Sequence, residues 1–338
     1  FDGESGSFDV VASDKTGDDF RGKGLLELMP GKPYLRFAGT GDIWIKGGTD
    51  SPEDLLGYSD FDNTAKLGSF WLTDYPNHKS DWGSGDPTWG SDKGKGIIGV
   101  LNYLNSQKVN SVYFLPMNLG GDGNNTHPFA STSSDLVYDC SKLDQWGIVF
   151  DHAQKMGVVL QIVLNEAEAS NRTRLDNGAL GTERRLFYRE LIARFGHING
   201  VKWNICEEYN HSSSLPWSPD LVKSFAAFIR NTDPYDHPIG VHNMNTDNAF
   251  EPFSGDSNFD YFSIQLHPAH PATPIRYLDY LDQLRDHTSN AGRPLALMFD
   301  EVDWATPADD ESHDLSNKAQ CKSGAKFLRK AVLWQCYL

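Results

Sequence analysis

Residues 157–206 decide the fold, because this stretch opens with GVVLQIVL (157–164) and closes with GVKWNIC (200–206). Both runs are almost continuously apolar, which is typical of parallel strands that are buried on both faces. Between them, ERRLFYRELIARF (183–195) carries apolar residues at helical spacing. A strand, a helix and a strand in this order predict a βαβ unit and a parallel sheet.

The same alternation continues in both directions along the chain. We predict further strands at 42–48, 109–117, 238–242, 260–267, 294–299 and 332–338, and further helices at 97–107, 143–156, 221–230, 277–286 and 319–329. Eight such units close naturally into a barrel. A doubly wound open sheet is the alternative, but that fold usually has a G-x-G-x-x-G turn after its first strand, and residues 46–48 read KGG.

We therefore predict an α/β protein with a (β/α)₈ TIM barrel at 41–338, whose eighth unit is incomplete because the chain ends inside the eighth strand. Residues 1–40 are predicted to be an N-terminal β-rich linker segment, with short strands at 8–11 and 34–37 against the side or floor of the barrel.

Composition narrows the possible partners. The chain has 338 residues, 39% of them hydrophobic, and its 30 basic and 46 acidic residues give a formal charge of −16. We find no long Lys/Arg cluster, which argues against nucleic acid or an anionic membrane as a partner. No apolar run approaches the ~20 residues of a membrane span. The four cysteines show no zinc-binding spacing. We expect no metal, no cofactor, no nucleic acid and no membrane partner.

Polar residues follow the predicted strands at the end where barrel enzymes carry their active sites. A long loop at 49–93 adds aromatic residues, and loops of this length are usually functional. We predict a polar pocket at this rim, with these candidate residues: Lys46, Trp82, Trp89, Asn118, Glu166, Glu207, Glu208, His242, Gln265, His267, Glu301 and Trp304.

Two carboxyl groups that face each other across a barrel mouth suit glycosidic cleavage. One protonates the departing oxygen, and the other attacks the anomeric carbon or activates water. Strands four and seven lie on opposite sides of the mouth and end in Glu207-Glu208 and Glu301. A single glutamate after a strand is often a helix cap or an ion-pair partner, so the pair carries more weight than either residue.

Two signatures then show a resemblance. VKWNICEEYN (201–210) and PLALMFDEVDW (294–304) resemble the fourth- and seventh-strand signatures of the large clan of retaining barrel glycosidases. The resemblance implies Glu208 as acid/base and Glu301 as nucleophile. Glu207 stands where the clan usually has asparagine, which leaves Glu207 and Glu208 both open as the acid.

A narrower resemblance is to secreted, apiosidase-like barrel hydrolases. It covers most of residues 40–305, through segments 45–62, 85–104, 109–123, 141–157 and 187–208. It implies a secreted or periplasmic protein with an additional N-terminal β-sandwich module of unknown function.

The expected function is hydrolysis of O-glycosidic bonds in a poly- or oligosaccharide by a two-carboxylate, retaining mechanism. Glu207, His242 and the other rim residues would contact the carbohydrate. The first alternative is a barrel that binds carbohydrate without cleaving it. The second is a metal-dependent barrel hydrolase, which typically has H-x-H on strand one, whereas this chain has Lys46 there.

Overall fold

The computed structural model describes residues 5–7, 9, 11–48, 51–66, 72–120, 123–211, 217–243, 248–265 and 275–301. In chain order, the strands are β1 Leu26–Leu28, β2 Leu35–Phe37, β3 Ile43–Trp44, β4 Ser111–Phe114, β5 Phe129–Ser131, β6 Ser134–Tyr138, β7 Val159–Val163, β8 Val201–Asn204, β9 Ile239–His242, β10 Tyr261–Gln265 and β11 Ala296–Glu301. The helices are α1 Lys95–Ser106, α2 Cys140–Lys155, α3 Ala169–Arg172, α4 Thr182–Phe195, α5 Pro219–Thr232 and α6 Ile275–Asn290. Within these residues, no helix is both long and apolar enough to cross a membrane.

Six strands form one parallel sheet in the order β4, β7, β8, β9, β10, β11. They correspond to predicted strands two to seven, and a helix lies at each of five predicted positions. The predicted α/β barrel fold is therefore confirmed, as a curled sheet that does not close over the described residues. Predicted strand 332–338 and helix 319–329 lie outside those residues.

Local sequence explains where helices α2 and α5 begin. The Asp139 carboxylate accepts a hydrogen bond from the Lys142 N–H (3.0 Å) at the start of α2. The Ser218 hydroxyl accepts a hydrogen bond from the Leu221 N–H (3.3 Å) at the start of α5, where Pro219 occupies the first helical position. Both residues satisfy backbone donors that a helix N-terminus leaves unpaired.

The prediction for strand one was wrong in its detail. Only Ile43–Trp44 of residues 42–48 is a strand, and it pairs antiparallel with β2. The chain then continues beside β4 irregularly: the Gly47 carbonyl accepts from the Asn110 N–H (2.8 Å), and the Glu53 carbonyl accepts from Leu115 (3.0 Å). Polar contacts from the Asn110 side chain to this segment replace a regular ladder.

The three-stranded sheet β1–β3 covers the N-terminal ends of the barrel strands. Its buried side chains share one apolar cluster with residues on β7, β10 and β11: Phe20, Leu26, Leu35, Phe37, Trp44, Val159, Tyr261, Ala296 and Met298. Val159, Tyr261 and Ala296 each begin a strand. This sheet is therefore the floor of the barrel. The prediction at 34–37 corresponds to β2, whereas β1 was not predicted.

An antiparallel hairpin, β5–β6, stands between β4 and α2 and was also not predicted. Most of its residues are exposed or half-buried. Because it follows a barrel strand, it lies on the same side of the barrel as the candidate site.

Candidate active site

The interior of the barrel contains a polar layer below its mouth. Gln161 on β7 donates to the Asp300 carboxylate on β11 (2.7 Å) and to the Ser263 hydroxyl on β10 (3.3 Å). Two strands, β8 and β9, separate β7 from β10 in the sheet, so these contacts run across the interior. All three side chains are buried.

Asp300 is the centre of this layer. Its carboxylate also accepts hydrogen bonds from the Ser263 hydroxyl and the Lys46 ammonium. Burial would raise the pKa of Asp300, but the charges of Lys46 and Lys202 and the hydrogen bonds lower it to about 2. Burial also holds the pKa of Lys202 well below its ordinary value. Asp300 is therefore ionised at neutral pH and pairs chiefly with Lys46.

A β-bulge aims Glu301 at the mouth. Ile264 is paired with Phe299, but the next residue of β10, Gln265, is paired with Glu301, so Asp300 is the extra residue. In a regular strand consecutive side chains point to opposite faces, and a bulge changes that alternation. Asp300 can thus enter the interior while Glu301 stands at the rim, with its side chain 26% exposed.

His242, at the end of β9, lies between the two acidic strand ends. Its Nδ1 accepts a hydrogen bond from the Glu208 backbone N–H (3.3 Å), and its Nε2 is 3.8 Å from Oε2 of Glu301. Burial lowers the pKa of His242 to about 4, so the ring is neutral at pH 7. Because Nδ1 accepts, the single ring proton lies on Nε2, and the 3.8 Å from Nε2 to Glu301 is longer than a hydrogen bond.

Glu207 and Glu208 occupy different surroundings after β8. The Glu207 carboxylate is buried and lies 3.4 Å from the Tyr113 hydroxyl, while its backbone N–H donates to the Asn165 carbonyl (2.8 Å). The Glu208 side chain is 16% exposed, and its Oε2 is 3.5 Å from Nε2 of His211. Glu208 therefore reaches the mouth more openly than Glu207.

Three more predicted residues lie near this centre. Glu166 is buried, and its Oε2 accepts the Glu168 N–H (2.9 Å). Gln265 is buried beside Asn243, whose side-chain oxygen accepts the Gln265 N–H (3.0 Å). Lys46 is in the interior with Asp300, which places it below the mouth.

Other predicted residues serve the packing of loops. The side chain of Asn118 is buried and bonds to Asp54 and to the Gly123 N–H. Trp89 is a core residue: its ring stacks on Phe61 (5.3 Å, 8°) and its indole N–H donates to a backbone carbonyl. One face of the Trp89 ring is therefore covered by Phe61, and the position of Trp89 on a cleft wall stays a prediction.

Trp82 is half-buried, donates to the Pro87 carbonyl (3.2 Å) and has the Lys95 ammonium 4.7 Å from its ring centre. It therefore lies against the start of α1. His267 and Trp304 fall outside the described residues. Among the residues that the structure does describe, no three His, Cys, Asp or Glu side chains are grouped as a metal site would require.

Sequence reasoning missed Tyr113, Gln161, Ser263 and Arg172. One signal was available for the interior layer: Lys202 sits inside the apolar run GVKWNIC, and a lysine that a strand buries needs a polar or anionic neighbour. Asp300 is that neighbour, because its charge favours the protonated form of Lys202.

Comparison with known proteins gives a result at the level of structure only. No protein-family model matches the chain, and no curated protein matches its sequence. Among solved structures, the endo-1,4-beta-mannanase of Rhizomucor miehei has a TM-score of 0.55 at 13% identity, over 89% of this chain and 88% of the mannanase.

A family 5 glycoside hydrolase mannosidase from the same organism has a TM-score of 0.56 at 9% identity, over 87% of this chain and 76% of that one. A family 5 glycoside hydrolase from Bacteroides vulgatus ATCC 8482 has a TM-score of 0.51 at 14% identity. The match covers 83% of this chain and 54% of the Bacteroides protein, so this chain spans about half of that protein's length. The chain therefore has the barrel fold of family 5 glycoside hydrolases.

Proposed function

We propose that the protein is a glycoside hydrolase that cleaves O-glycosidic bonds in a poly- or oligosaccharide, with Glu208 as acid/base and Glu301 as nucleophile. One observation carries the proposal: the ends of β8 and β11 converge on His242. Its Nδ1 contacts the Glu208 backbone, and its Nε2 faces the Glu301 carboxylate at 3.8 Å. Two strand ends that carry acidic residues thus meet at one histidine.

The proposed chemistry has two steps. The Glu301 carboxylate attacks the anomeric carbon while the Glu208 carboxyl gives its proton to the departing oxygen. Glu208, now ionised, takes a proton from water, which attacks the anomeric carbon and releases Glu301. Retention requires the two carboxyl groups to lie about 5–5.5 Å apart. After the second step Glu208 is protonated again and Glu301 is a free carboxylate, as at the start.

His242 supports the proposed nucleophile. A neutral ring with its proton on Nε2 presents a positive dipole to the Glu301 carboxylate without neutralising it. Since burial keeps the pKa of His242 at about 4, the ring would keep this form across the neutral range.

The substrate class is a carbohydrate without strong negative charge. Glu207 and Glu208 follow β8 and Glu301 ends β11, and carboxylates at these strand ends would repel an anionic sugar. The mannanase and the mannosidase of similar fold make β-1,4-mannan a reasonable member of the first panel. The narrower apiosidase-like relationship, and secretion, remain proposals that rest on the sequence segments given above.

The test is reducing-sugar release from neutral polysaccharides that include β-1,4-mannan, β-1,4-glucan and arabinoxylan. We expect release by the wild-type protein and a loss of at least 10³-fold in Glu301→Gln, because the amide cannot act as a nucleophile. Glu251→Gln, at an exposed position, is the matched control and should keep full activity. Equal release by wild type and Glu301→Gln would refute the assignment, and binding without release would favour a non-catalytic barrel.

A further inference from the structure

The loop that carries Glu208 is bound by a single buried arginine. Arg172 ends α3 and is fully buried. Its Nη2 donates to the carbonyls of Glu207 (3.0 Å) and Glu208 (2.7 Å), and its Nη1 donates to that of Tyr209 (3.2 Å). Its Nε donates to the Glu166 carbonyl (3.1 Å). The guanidinium thus connects the ends of two neighbouring barrel strands.

The backbone of Glu208 needs such a connection. Its φ is 36°, in the left-handed region that residues other than glycine seldom adopt. A non-glycine residue there costs about 1–3 kcal/mol and persists only where its surroundings hold it. The Glu208 carbonyl receives both Arg172 Nη2 and the His211 N–H (2.8 Å). These two hydrogen bonds fix the peptide group that follows Glu208.

Two further residues hold the arginine itself. The ring of Trp217 lies 4.9 Å from the Arg172 guanidinium carbon, and the backbone N–H of Trp217 donates to the Tyr209 carbonyl (3.1 Å), which Arg172 also contacts. Arg184 donates to the Arg172 carbonyl (2.7 Å). The guanidinium is therefore held in one position before any substrate binds.

From this geometry, and on the basis of the proposed function, we propose that Arg172 is a positioning residue that orients Glu208 for proton transfer to the leaving group. Arginine suits this role because its planar fork donates several hydrogen bonds in fixed directions. Lysine has a compact ammonium that cannot reach four carbonyls at once. Arg172 itself acts through the loop backbone.

The leaving group of the substrate separates this role from a general structural one. Expulsion of 2,4-dinitrophenolate needs no proton, whereas expulsion of phenolate does. The probes are paired 2,4-dinitrophenyl and phenyl β-mannobiosides and β-cellobiosides. For Arg172→Lys we expect kcat/KM to fall about 100-fold on the phenyl substrate and less than about 5-fold on the dinitrophenyl substrate, since positioned acid catalysis contributes about 10²–10⁴-fold.

Arg230→Lys is the matched control. Arg230 is also largely buried, with its side chain 18% exposed, and it donates to the His237 and Asn258 carbonyls and to Asp260 at the opposite end of the strands. Its substitution should cost stability and leave the ratio between the two substrates unchanged.

Trp217→Phe provides a second variant if Arg172→Lys does not fold. The smaller ring should loosen the guanidinium and produce the same selective loss, about 5-fold on the phenyl substrate. An equal loss on both substrates, or none on the phenyl substrate, would overturn the role of Arg172. Wild-type rates for Glu301→Gln on the dinitrophenyl substrate would instead overturn the proposed function.

Discussion

Replacement of Asp300 by asparagine tests the interior layer that supports the site. The amide would keep the shape of the side chain and could still accept hydrogen bonds from Gln161 and Ser263. It would lose the ion pair with Lys46, whose side chain is 7% exposed, while that of Asp300 is 0% exposed. The ammonium of Lys46 would then lose Asp300 as its buried counter-ion, and Lys202 would lose the anion that favours its charged form.

The pKa of Asp300 sets the magnitude. Each unit of pKa corresponds to about 1.4 kcal/mol, so the drop from the ordinary value of 3.8 to about 2 is worth roughly 2 kcal/mol of folding free energy at pH 7. Loss of one partner of a buried pair typically costs about 3–5 kcal/mol. We therefore expect Asp300→Asn to lower the free energy of unfolding by about 2–4 kcal/mol.

The sign of the pH dependence is fixed by the direction of the shift. A depressed pKa stabilises the fold above pH 3.8, and this stabilisation disappears as the pH falls toward 2. The advantage of wild type over Asp300→Asn should thus fall by about 1 kcal/mol between pH 7 and pH 3. Urea unfolding followed by tryptophan fluorescence at several pH values measures it.

Asp282→Asn is the control for this experiment. Asp282 pairs with Arg285 at 3.0 Å on the surface, where both side chains are about half or more exposed. Such pairs contribute about 0–1 kcal/mol, so this variant should unfold close to wild type. An Asp300→Asn protein as stable as wild type at pH 7, or a difference that does not shrink with acidity, would refute the proposed role of the Lys46–Asp300 pair.

Three further predictions follow from the structure. Burial lowers the pKa of His127, His152 and His242 to about 4. The unfolded chain therefore binds more protons than the folded one below about pH 6.5, so the urea concentration at the unfolding midpoint should decrease as the pH is lowered from 6.5 to 4. Equal midpoints at pH 7 and pH 4.5 would contradict this. Trp89→Ala should lower the free energy of unfolding by about 3–5 kcal/mol but leave KM unchanged. A KM increase without destabilisation would instead indicate that Trp89 lies on the cleft wall. Glu208→Gln should lose activity selectively on phenyl glycosides, and the same signature in Glu207→Gln alone would exchange the two roles.

The sequence predicted the parts of the fold that local pattern determines. Strands β7 and β8 and helix α4 were predictable because their apolar residues follow the period of the element and its burial. The end of each strand also located Glu208, His242 and Glu301, because parallel strands end at one face of the barrel.

Features that depend on distant residues were not predictable. The bulge at Asp300 arises where β11 meets β10, and Lys46 lies 254 positions from its partner Asp300. Strand 42–48 looked regular because it contains a short apolar run that ends in glycines, although Asn110 determines its path. Arg172 had no local signal, since it binds carbonyls that only the fold brings together.

The most direct test of the central claim is to trap the glycosyl-enzyme. Wild-type protein would be incubated with 2,4-dinitrophenyl 2-deoxy-2-fluoro-β-mannoside and the corresponding glucoside, and the intact mass and the labelled peptide would be determined by mass spectrometry. We expect one fluoroglycosyl group on Glu301 of the wild-type protein, and none in Glu301→Gln. A label on Glu207 or Glu208, or an unlabelled protein that nonetheless hydrolyses glycosides, would contradict it.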